Sequence, residues 1–244
     1  MKYYINDPNN NKELFDMIKD QVDGSDMCFT ADEADCIICY GGDGTLLDTF
    51  QKYPCKYIMP IRNHSRCSKH ETIDITKTKT NLMDIIECEY QNRKFIGLSE
   101  LVIQNKNISK AMRCSLKIND KLYAENIIGD GIICSTPLGS TGYFKNIANT
   151  FFSVGLGIGF INNAQRMTNL IIDRTSKIEI EITRGDCVFA IDHLVGSIIE
   201  GEKIKFQFNE SFGARLLNYK DVFMCNECRN KRHSAHVNTI YSVI

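Results

Sequence analysis

Gly41–Thr45, with the sequence Gly-Gly-Asp-Gly-Thr, is the segment that most constrains the fold of this chain. It follows an apolar run at 36–40 and precedes a helical pattern at 44–52. A buried strand that ends in glycines and leads into a helix is typical of phosphate-binding turns. Glycines let backbone N–H groups approach an anion closely, and the helix N-terminus adds a favourable dipole. The segment therefore predicts a phosphate site in an α/β domain.

Asp43 distinguishes this turn from the common nucleotide-binding loops. No Gly-Lys-Ser/Thr follows it, as a Walker loop requires, and the Gly-x-Gly-x-x-Gly pattern of dinucleotide-binding folds is absent here. Because phosphate repels a nearby carboxylate, an aspartate at this position favours a chemical role for its side chain. It accepts a proton from an attacking hydroxyl, or it helps to hold Mg²⁺. The alternative is a tight turn without chemistry, since glycine and aspartate are favoured in turns.

A second motif, at 130–143, is dense in hydroxyl groups and glycines. It has the sequence Asp-Gly-Ile-Ile-Cys-Ser-Thr-Pro-Leu-Gly-Ser-Thr-Gly-Tyr. Hydroxyl groups and N–H groups at the start of a helix bind ribose and phosphate, and Tyr143 offers a ring for stacking. The same residues also fit an ordinary capped helix after a turn.

The spacing of apolar residues predicts two domains and a tail. Up to residue 90, strands and helices alternate, which favours a doubly wound α/β sheet. Beyond it most apolar runs have the period of strands, which predicts a β-rich, sandwich-like domain. The predicted domains are 1–90 and 91–210, followed by a polar tail at 211–244. The predicted elements are strands at 3–5, 36–40, 56–59, 95–104, 113–118, 121–135, 178–183, 187–191 and 204–208, and helices at 11–22, 44–52, 79–89 and after Ser140.

Composition favours a soluble globular protein in a reducing compartment. The 29 basic and 30 acidic residues give a net charge of −1, which argues against a general binder of nucleic acid. We expect a cytoplasmic protein without a membrane span, because no apolar run is long enough for one and the N-terminus lacks the apolar stretch of a signal peptide. The eleven cysteines are odd in number and scattered, so we expect thiols that fill the core rather than disulfides.

The order and spacing of the motifs resemble those of the NAD kinase family, which shares a superfamily with diacylglycerol kinases and phosphofructokinases. The resemblance covers about residues 30–210 and is that of a short bacterial-type member. It is carried by Gly41–Thr45, by the Ser-Glu pair at 99–100 and by the block at 136–143, with further matches at 161–163 and 191–193.

The resemblance implies a kinase that transfers the γ-phosphoryl group of ATP, or of polyphosphate, to the adenosine-ribose 2′-hydroxyl of NAD. It assigns the general base to Asp43, implies Mg²⁺ on the donor phosphates and implies a dimer or tetramer of identical chains. Asp192 and His193 would lie near a nucleotide ribose. The other nucleotide-binding residues that it implies are Gly41, Gly42, Gly44, Thr45, Ser99, Glu100, Asp130, Thr136, Ser140, Thr141, Gly142, Tyr143 and Asn146.

The chain departs from the family pattern at three places. Ser99 stands where the family has asparagine, and Gly142 where it has alanine. The segment 60–70 is basic and lacks the glycines that the family has there. Such a segment fits a more highly charged acceptor or donor as well as a solvated surface loop. Two alternatives therefore stay open: the same transfer to another nucleotide, a lipid or a nucleic-acid 2′-hydroxyl, and a nucleotide sensor without catalysis.

A candidate zinc site lies in the tail. Cys225, Cys228, His233 and His236 have the spacing C-x₂-C-x₄-H-x₂-H. Two thiolates and two imidazoles suit a tetrahedral zinc ion. The gap between the two histidines is shorter than is usual in a zinc finger, so the alternative is a polar tail with incidental cysteines.

Overall fold

The computed structural model of the chain describes residues 1–7, 12–61, 75 and 79–217. It divides into two compact units, of which the first is Met1–Leu82, resumed at Arg215, and the second is Met83–Ala214. The domain limits predicted at residues 90 and 210 stay predictions. The described elements, besides short 3₁₀ turns at Gly24–Asp26 and Gly139–Thr141, are β1 (Tyr3–Asn6), α1 (Lys12–Lys19), β2 (Cys36–Tyr40), α2 (Asp43–Lys52), β3 (Tyr57–Ile61), β4 (Thr80–Met83), β5 (Ile86–Tyr90), β6 (Arg93–Gly97), β7 (Glu100–Asn105), β8 (Met112–Ile118), β9 (Lys121–Gly129), β10 (Gly131–Ser135), α3 (Tyr143–Ala148), β11 (Leu156–Ile161), β12 (Leu170–Ile172), β13 (Ile178–Arg184), β14 (Cys187–Ile191), β15 (Leu194–Ile198), β16 (Lys203–Phe208) and β17 (Ala214–Leu217).

A five-stranded sheet in the order β1-β2-β3-β17-β4 forms the centre of the first unit. β2 pairs in parallel with β1 and β3, and β17 pairs in parallel with β3. The sequence of β2 is apolar almost throughout, and its first four residues are buried, as in a central parallel strand covered on both faces. The predicted succession of strand, glycine turn and helix is confirmed from β2 to α2. The doubly wound arrangement of helices around this sheet stays a prediction.

Two six-stranded sheets form the second unit. Their orders are β12-β11-β10-β7-β14-β15 and β6-β5-β16-β13-β8-β9. One apolar core receives side chains from both sheets, among them Ile103 and Cys134 of the first and Leu116 and Phe206 of the second. The prediction of a β-rich second domain is confirmed, and the shared core makes it a sandwich.

Two of the predicted strands are interrupted, and at each interruption the chain changes sheet. The strand predicted at 95–104 becomes β6 and β7, which belong to different sheets and are separated at 98–99. The strand predicted at 121–135 becomes β9 and β10, separated at Asp130. Apolar residues lie on both sides of each interruption, so each pair of strands was predicted as one strand. Both coincide with predicted site residues.

Helices are few in the described residues. The longest of them, α2, has ten residues, and no described helix is long and apolar enough to span a membrane. The helix predicted at 79–89 is wrong, because the chain forms β4 and β5 there. In β5 the alternate residues Ile86, Cys88 and Tyr90 are buried, while Leu82 in β4 is exposed. Buried residues at every second position are those of a strand with one face on a core, and here this pattern decides the structure rather than the helical spacing.

The thiols fill the core, as predicted. Six of the eight described cysteines are buried, and none of the eight is in a disulfide. Burial raises the pKa of Cys88 and of Cys114 to about 12, so both stay protonated and pack as small apolar groups.

The burial of the sandwich core predicts that two isoleucine-to-alanine substitutions differ greatly in their effect on stability. Ile180→Ala removes a fully buried side chain of β13, and we expect it to lower the free energy of unfolding by about 2–5 kcal/mol. Ile108→Ala, at a fully exposed position of the same unit, serves as the control and should change it by less than about 0.5 kcal/mol. Urea denaturation measures both, and equal losses would contradict the described core.

Candidate functional site

The glycine turn Gly41–Thr45 joins the carboxyl end of β2 to α2. The N–H of Gly41 donates to the carbonyl of Ile61 at 2.9 Å, which fixes the turn to β3. A Cβ on Gly41 would overlap the side chain of Thr45. Only glycine therefore allows the chain to enter α2 this closely.

The turn is open next to Asp43. A Cβ built on Gly42 would meet no atom within 4 Å, and Asp43 and Gly44 are exposed. α2 begins at Asp43, and Gly42, its N-cap, provides no side-chain hydrogen bond. The first turn of a helix has N–H groups without partners inside the helix, together with the positive end of its dipole. The segment thus presents anion-binding groups beside an exposed carboxylate.

Thr49 fastens the first turns of α2 to the end of β1. Its hydroxyl, fully buried, donates to the carbonyl of Thr45 at 2.7 Å and accepts from the amide of Asn6 at 2.9 Å. The start of α2 is therefore held by side-chain bonds as well as by the glycine turn.

In the second unit, Asp192 binds the backbone at the place where the chain passes from β6 to β7. Its carboxylate accepts the N–H groups of Leu98 at 2.6 Å, Ser99 at 2.9 Å and Glu100 at 3.2 Å. Its own N–H donates to the carbonyl of Glu100 at 3.0 Å. The residue takes a positive φ of 48°, which aspartate adopts more readily than most residues.

Thr136 binds the same segment from the end of β10. Its hydroxyl donates to the carbonyl of Leu98 at 2.9 Å, and its N–H donates to the carbonyl of Ser99 at 2.9 Å. Every backbone N–H and C=O group of Leu98–Glu100 is therefore bonded to Asp192 or to Thr136. We call this arrangement of Asp192, Thr136 and Leu98–Glu100 the backbone clamp.

The hydroxyl-rich turn that follows Thr136 is bonded mostly to itself. The buried hydroxyl of Ser140 donates to the carbonyl of Pro137 at 2.7 Å and accepts from the N–H of Phe152 at 3.2 Å. The hydroxyl of Thr141 donates to the carbonyl of Leu138 at 3.0 Å. These bonds shape the turn, and the nucleotide contacts expected of the same residues stay predictions.

Glu100 carries the most perturbed carboxylate of the site. Its Oε2 is buried and has no hydrogen-bond partner among the described residues. The pKa of Glu100 is raised to about 7: burial raises it most, the N–H of Phe144 at the start of α3 lowers it, and the charge of Asp192 raises it. A buried oxygen without a partner destabilises the protein and suits a group that a ligand completes.

Gln104 is a site residue that the sequence analysis missed. It lies on β7, four residues after Glu100, and its amide donates to the hydroxyl of Tyr143 at 3.0 Å. The bond holds the ring that was predicted to stack on a base. The available signal was the even spacing, which places Gln104 on the same face of the strand as Glu100. Asn146, one turn further along α3, is exposed.

Asp130 lies apart from Glu100. It directly precedes Gly131, which pairs with Gln104, and its carbonyl accepts the N–H of Asn105, so it lies near the far end of β7, about 16 Å along the strand from Glu100 at about 3.3 Å per residue. Its carboxylate accepts from the amide of Asn162 at 2.7 Å. Asp130 and Glu100 are therefore not brought together within one chain. His193 follows Asp192 and is exposed.

Two predicted features lie outside the described residues. They are the candidate zinc ligands Cys225, Cys228, His233 and His236, and residues 62–70 of the basic segment.

Comparison with known proteins identifies relatives over most of the chain. Residues 98–196 match the family of ATP-NAD kinase C-terminal domains. An NAD kinase of Clostridium botulinum is 25% identical over 211 residues, which cover 77% of this chain and 74% of that protein. An NAD kinase of Limosilactobacillus reuteri is 26% identical over 165 residues, 59% of this chain and 60% of that protein. Over most of its length the chain is therefore similar to NAD kinases.

Solved structures of the family share the fold. One is yeast NADH kinase, determined with NADH. The match covers 91% of this chain and 84% of the yeast chain, with a TM-score of 0.73 and 12% sequence identity. An NAD kinase of Archaeoglobus fulgidus, determined with ATP, covers 94% of this chain and 96% of its own, with a TM-score of 0.69 and 18% identity. The family match begins at Leu98 and includes both Thr136 and Asp192, so it contains the whole backbone clamp.

The pKa of Glu100 predicts that removing its charge stabilises the protein in alkaline solution. Because the native pKa is about 7 rather than 4.5, ionisation of Glu100 destabilises the native state as the pH rises through this interval. Glu100→Gln should therefore raise the free energy of unfolding at pH 8 by up to about 3 kcal/mol, with no gain below pH 4.5, where both states bind the proton. Chemical denaturation at the two pH values measures the difference.

The matched control is Glu125→Gln, at an exposed position of β9. It should change stability by less than about 0.5 kcal/mol at either pH. A loss of stability in Glu100→Gln at pH 8 would contradict the description of Glu100 as a strained, buried acid.

Proposed function

We propose that this chain is an NAD kinase, which transfers the γ-phosphoryl group of ATP to the adenosine-ribose 2′-hydroxyl of NAD and forms NADP and ADP. The similarity to NAD kinases supports a phosphotransferase that acts on a hydroxyl group. Its relatives are NAD kinases, and its structural neighbours were determined with NADH and with ATP, which supports the choice of substrates.

The observation that carries the proposal is the exposed carboxylate at the start of α2. Asp43 is the first residue of the helix, in a turn whose open side has room for phosphate. In the proposed reaction its carboxylate accepts the proton of the 2′-hydroxyl. The hydroxyl oxygen then bonds to the γ-phosphorus, the bond from that phosphorus to the β–γ bridging oxygen breaks, and ADP leaves with the electron pair.

Backbone N–H groups near Asp43 are suited to bind the phosphates of the donor. Those of Gly44 and Thr45 lie in the first turn of α2, where they are suited to neutralise the charge that develops on the transferred group. Their fixed position means that little rearrangement is needed during transfer. The tight closure at Gly41 maintains that position.

Mg²⁺ is expected on the donor phosphates. No group of three or more candidate ligands that could hold a metal occurs in the part of the chain that the structure describes. Magnesium does not need such a group, since it keeps several waters and binds through one or two carboxylates and the phosphates of its substrate. The exposed carboxylate of Asp43 fits this mode. When bound, the ion would neutralise the charge of the phosphates.

The second unit supplies groups that suit a nucleoside. The unpartnered Oε2 of Glu100 can accept a hydrogen bond from a ribose hydroxyl or an exocyclic amine. Tyr143, held by Gln104, offers its ring to a base. We assign both residues to nucleotide binding.

A second candidate function is the same transfer to a different hydroxyl acceptor. The observation that favours it is Ser99, whose short side chain replaces the amide of the family and lies against Gly139, where a Cβ would overlap it. A contact that the longer asparagine would make to the adenine or ribose would thereby be shortened or lost. Incubation with labelled ATP and a panel of acceptors separates the candidates, because transfer to NAD supports the first and transfer only to another acceptor supports the second.

Asp43→Asn tests the proposed role of the carboxylate. Removing the proton acceptor should lower kcat for NAD phosphorylation by about 100-fold or more, because general bases contribute about 10²–10⁴-fold. The fold of α2 should be retained, since asparagine has the same shape. Steady-state kinetics with ATP and NAD measures the effect.

Asp48→Asn is the control on the same helix. Asp48 pairs with Lys52 on the exposed face at 2.8 Å, and this surface pair contributes little. Its kcat should stay within about twofold of the unsubstituted protein. If Asp43→Asn retained full turnover, Asp43 would not be the base, and binding without turnover in the unsubstituted protein would favour a nucleotide sensor.

A further inference from the structure

Leu98–Glu100 spans the passage from one sheet to the other, with Leu98 and Ser99 between the two strands and Glu100 as the first residue of β7. β6 belongs to one sheet and β7 to the other, so the backbone between them leaves one ladder before it joins the next. Buried backbone groups without partners each cost about 1–3 kcal/mol, and a segment of this kind therefore needs partners from elsewhere. Here Asp192 and Thr136 provide all of them.

Both carboxylate oxygens of Asp192 are engaged in this bonding. Oδ2 accepts from Leu98, and Oδ1 accepts from Ser99 and Glu100. The packing beneath is equally close, because a Cβ on Gly97 would overlap Ile191, the neighbour of Asp192. An oxygen that accepts two backbone N–H groups is poorly placed to bind a ribose as well.

We propose that Asp192 is a positioning residue, which acts on the nucleotide only through Glu100. This inference rests on the proposed function, in which Glu100 binds the nucleotide. It assigns Asp192 a different role from the direct ribose contact that the family resemblance implies. Thr136 acts in the same way from the opposite side of the segment.

The reason for such a device lies in Glu100 itself. Its Oε2 is buried without a partner, a state that a loose backbone would relieve by turning the carboxylate toward water. The backbone clamp fixes the N–H and C=O groups of Glu100, so the side chain leaves the backbone in one direction. A binding group has to be held within about 0.5 Å of its productive position to contribute fully.

Steady-state kinetics of Asp192→Asn gives the first test. Asparagine keeps one acceptor oxygen and places an amide next to N–H donors, so the segment loosens without losing a side chain. We expect the KM for NAD to rise about tenfold with kcat within about twofold, because a binding group is displaced and the base is untouched. A merely structural defect would lower kcat by reducing the active fraction and leave KM unchanged, which would contradict the proposal.

A double-mutant cycle with Glu100→Gln gives the decisive test. If Asp192 acts through Glu100, Asp192→Asn should raise the KM for NAD by less than about twofold in the Glu100→Gln background. If Asp192 touches the ribose itself, the two effects should multiply, which would overturn the proposal. Asp186→Asn, at an exposed position beside the other end of β14, is the matched control and should leave both constants unchanged.

A measurement without ligand separates this inference from the proposed function. Amide hydrogen exchange should be slow at Leu98, Ser99 and Glu100 in the unsubstituted protein and faster at all three in Asp192→Asn. Unchanged exchange would overturn the backbone clamp even if NAD is the substrate. Absence of NAD phosphorylation by the unsubstituted protein, with the exchange as expected, would overturn the proposed function alone.

Thr136→Val is the second variant if Asp192→Asn does not fold. It removes the hydroxyl that binds the carbonyl of Leu98 and keeps the shape of the side chain. The same non-multiplicative result with Glu100→Gln is expected, and independent effects on the KM for NAD would contradict the proposal.

Discussion

The bond between the Asp192 carboxylate and three consecutive backbone N–H groups is the interaction on which the second unit and its candidate site depend. A chain that passes from one sheet to another loses the ladder that normally satisfies its backbone. Over Leu98–Glu100 the side chains and backbone N–H groups of Asp192 and Thr136 supply the partners instead. The sandwich can therefore form although the chain changes sheet directly before Glu100, the carboxylate whose pKa is raised to about 7.

Glu100 shows how binding chemistry opposes stability in this fold. Burial without a partner for Oε2 raises its pKa to about 7, so near neutral pH the ionised form destabilises the native state. The buried cysteines show the contrasting case, because their raised pKa values keep them neutral, and neutral thiols suit a core. A buried carboxylate oxygen without a partner destabilises the protein, so we expect it where a ligand donates a hydrogen bond to it. This agrees with the assignment of Glu100 to nucleotide binding.

The sequence reveals those parts of the structure that local patterns determine. The glycine turn could be predicted because a buried strand, three glycines and a helix start follow one another directly. The clamp could not, since Asp192 and Leu98 are 94 residues apart and Thr136 and Leu98 are 38 apart. The two changes of sheet were missed because apolar residues lie on both sides of each, and the sequence pattern does not show which sheet a strand joins. The incorrect helix at 79–89 arose because Ile85 and Ile86 satisfy a helical spacing and a strand spacing at once, and pairing of β5 with β16 decides between them.

Mass spectrometry of NAD after incubation with the purified protein, ATP and Mg²⁺ tests the central claim most directly. The account predicts a product heavier by one phosphate group, with fragments that locate the phosphate on the adenosine ribose. NAD recovered unchanged, while ATP is consumed only with some other hydroxyl compound or not at all, would contradict it.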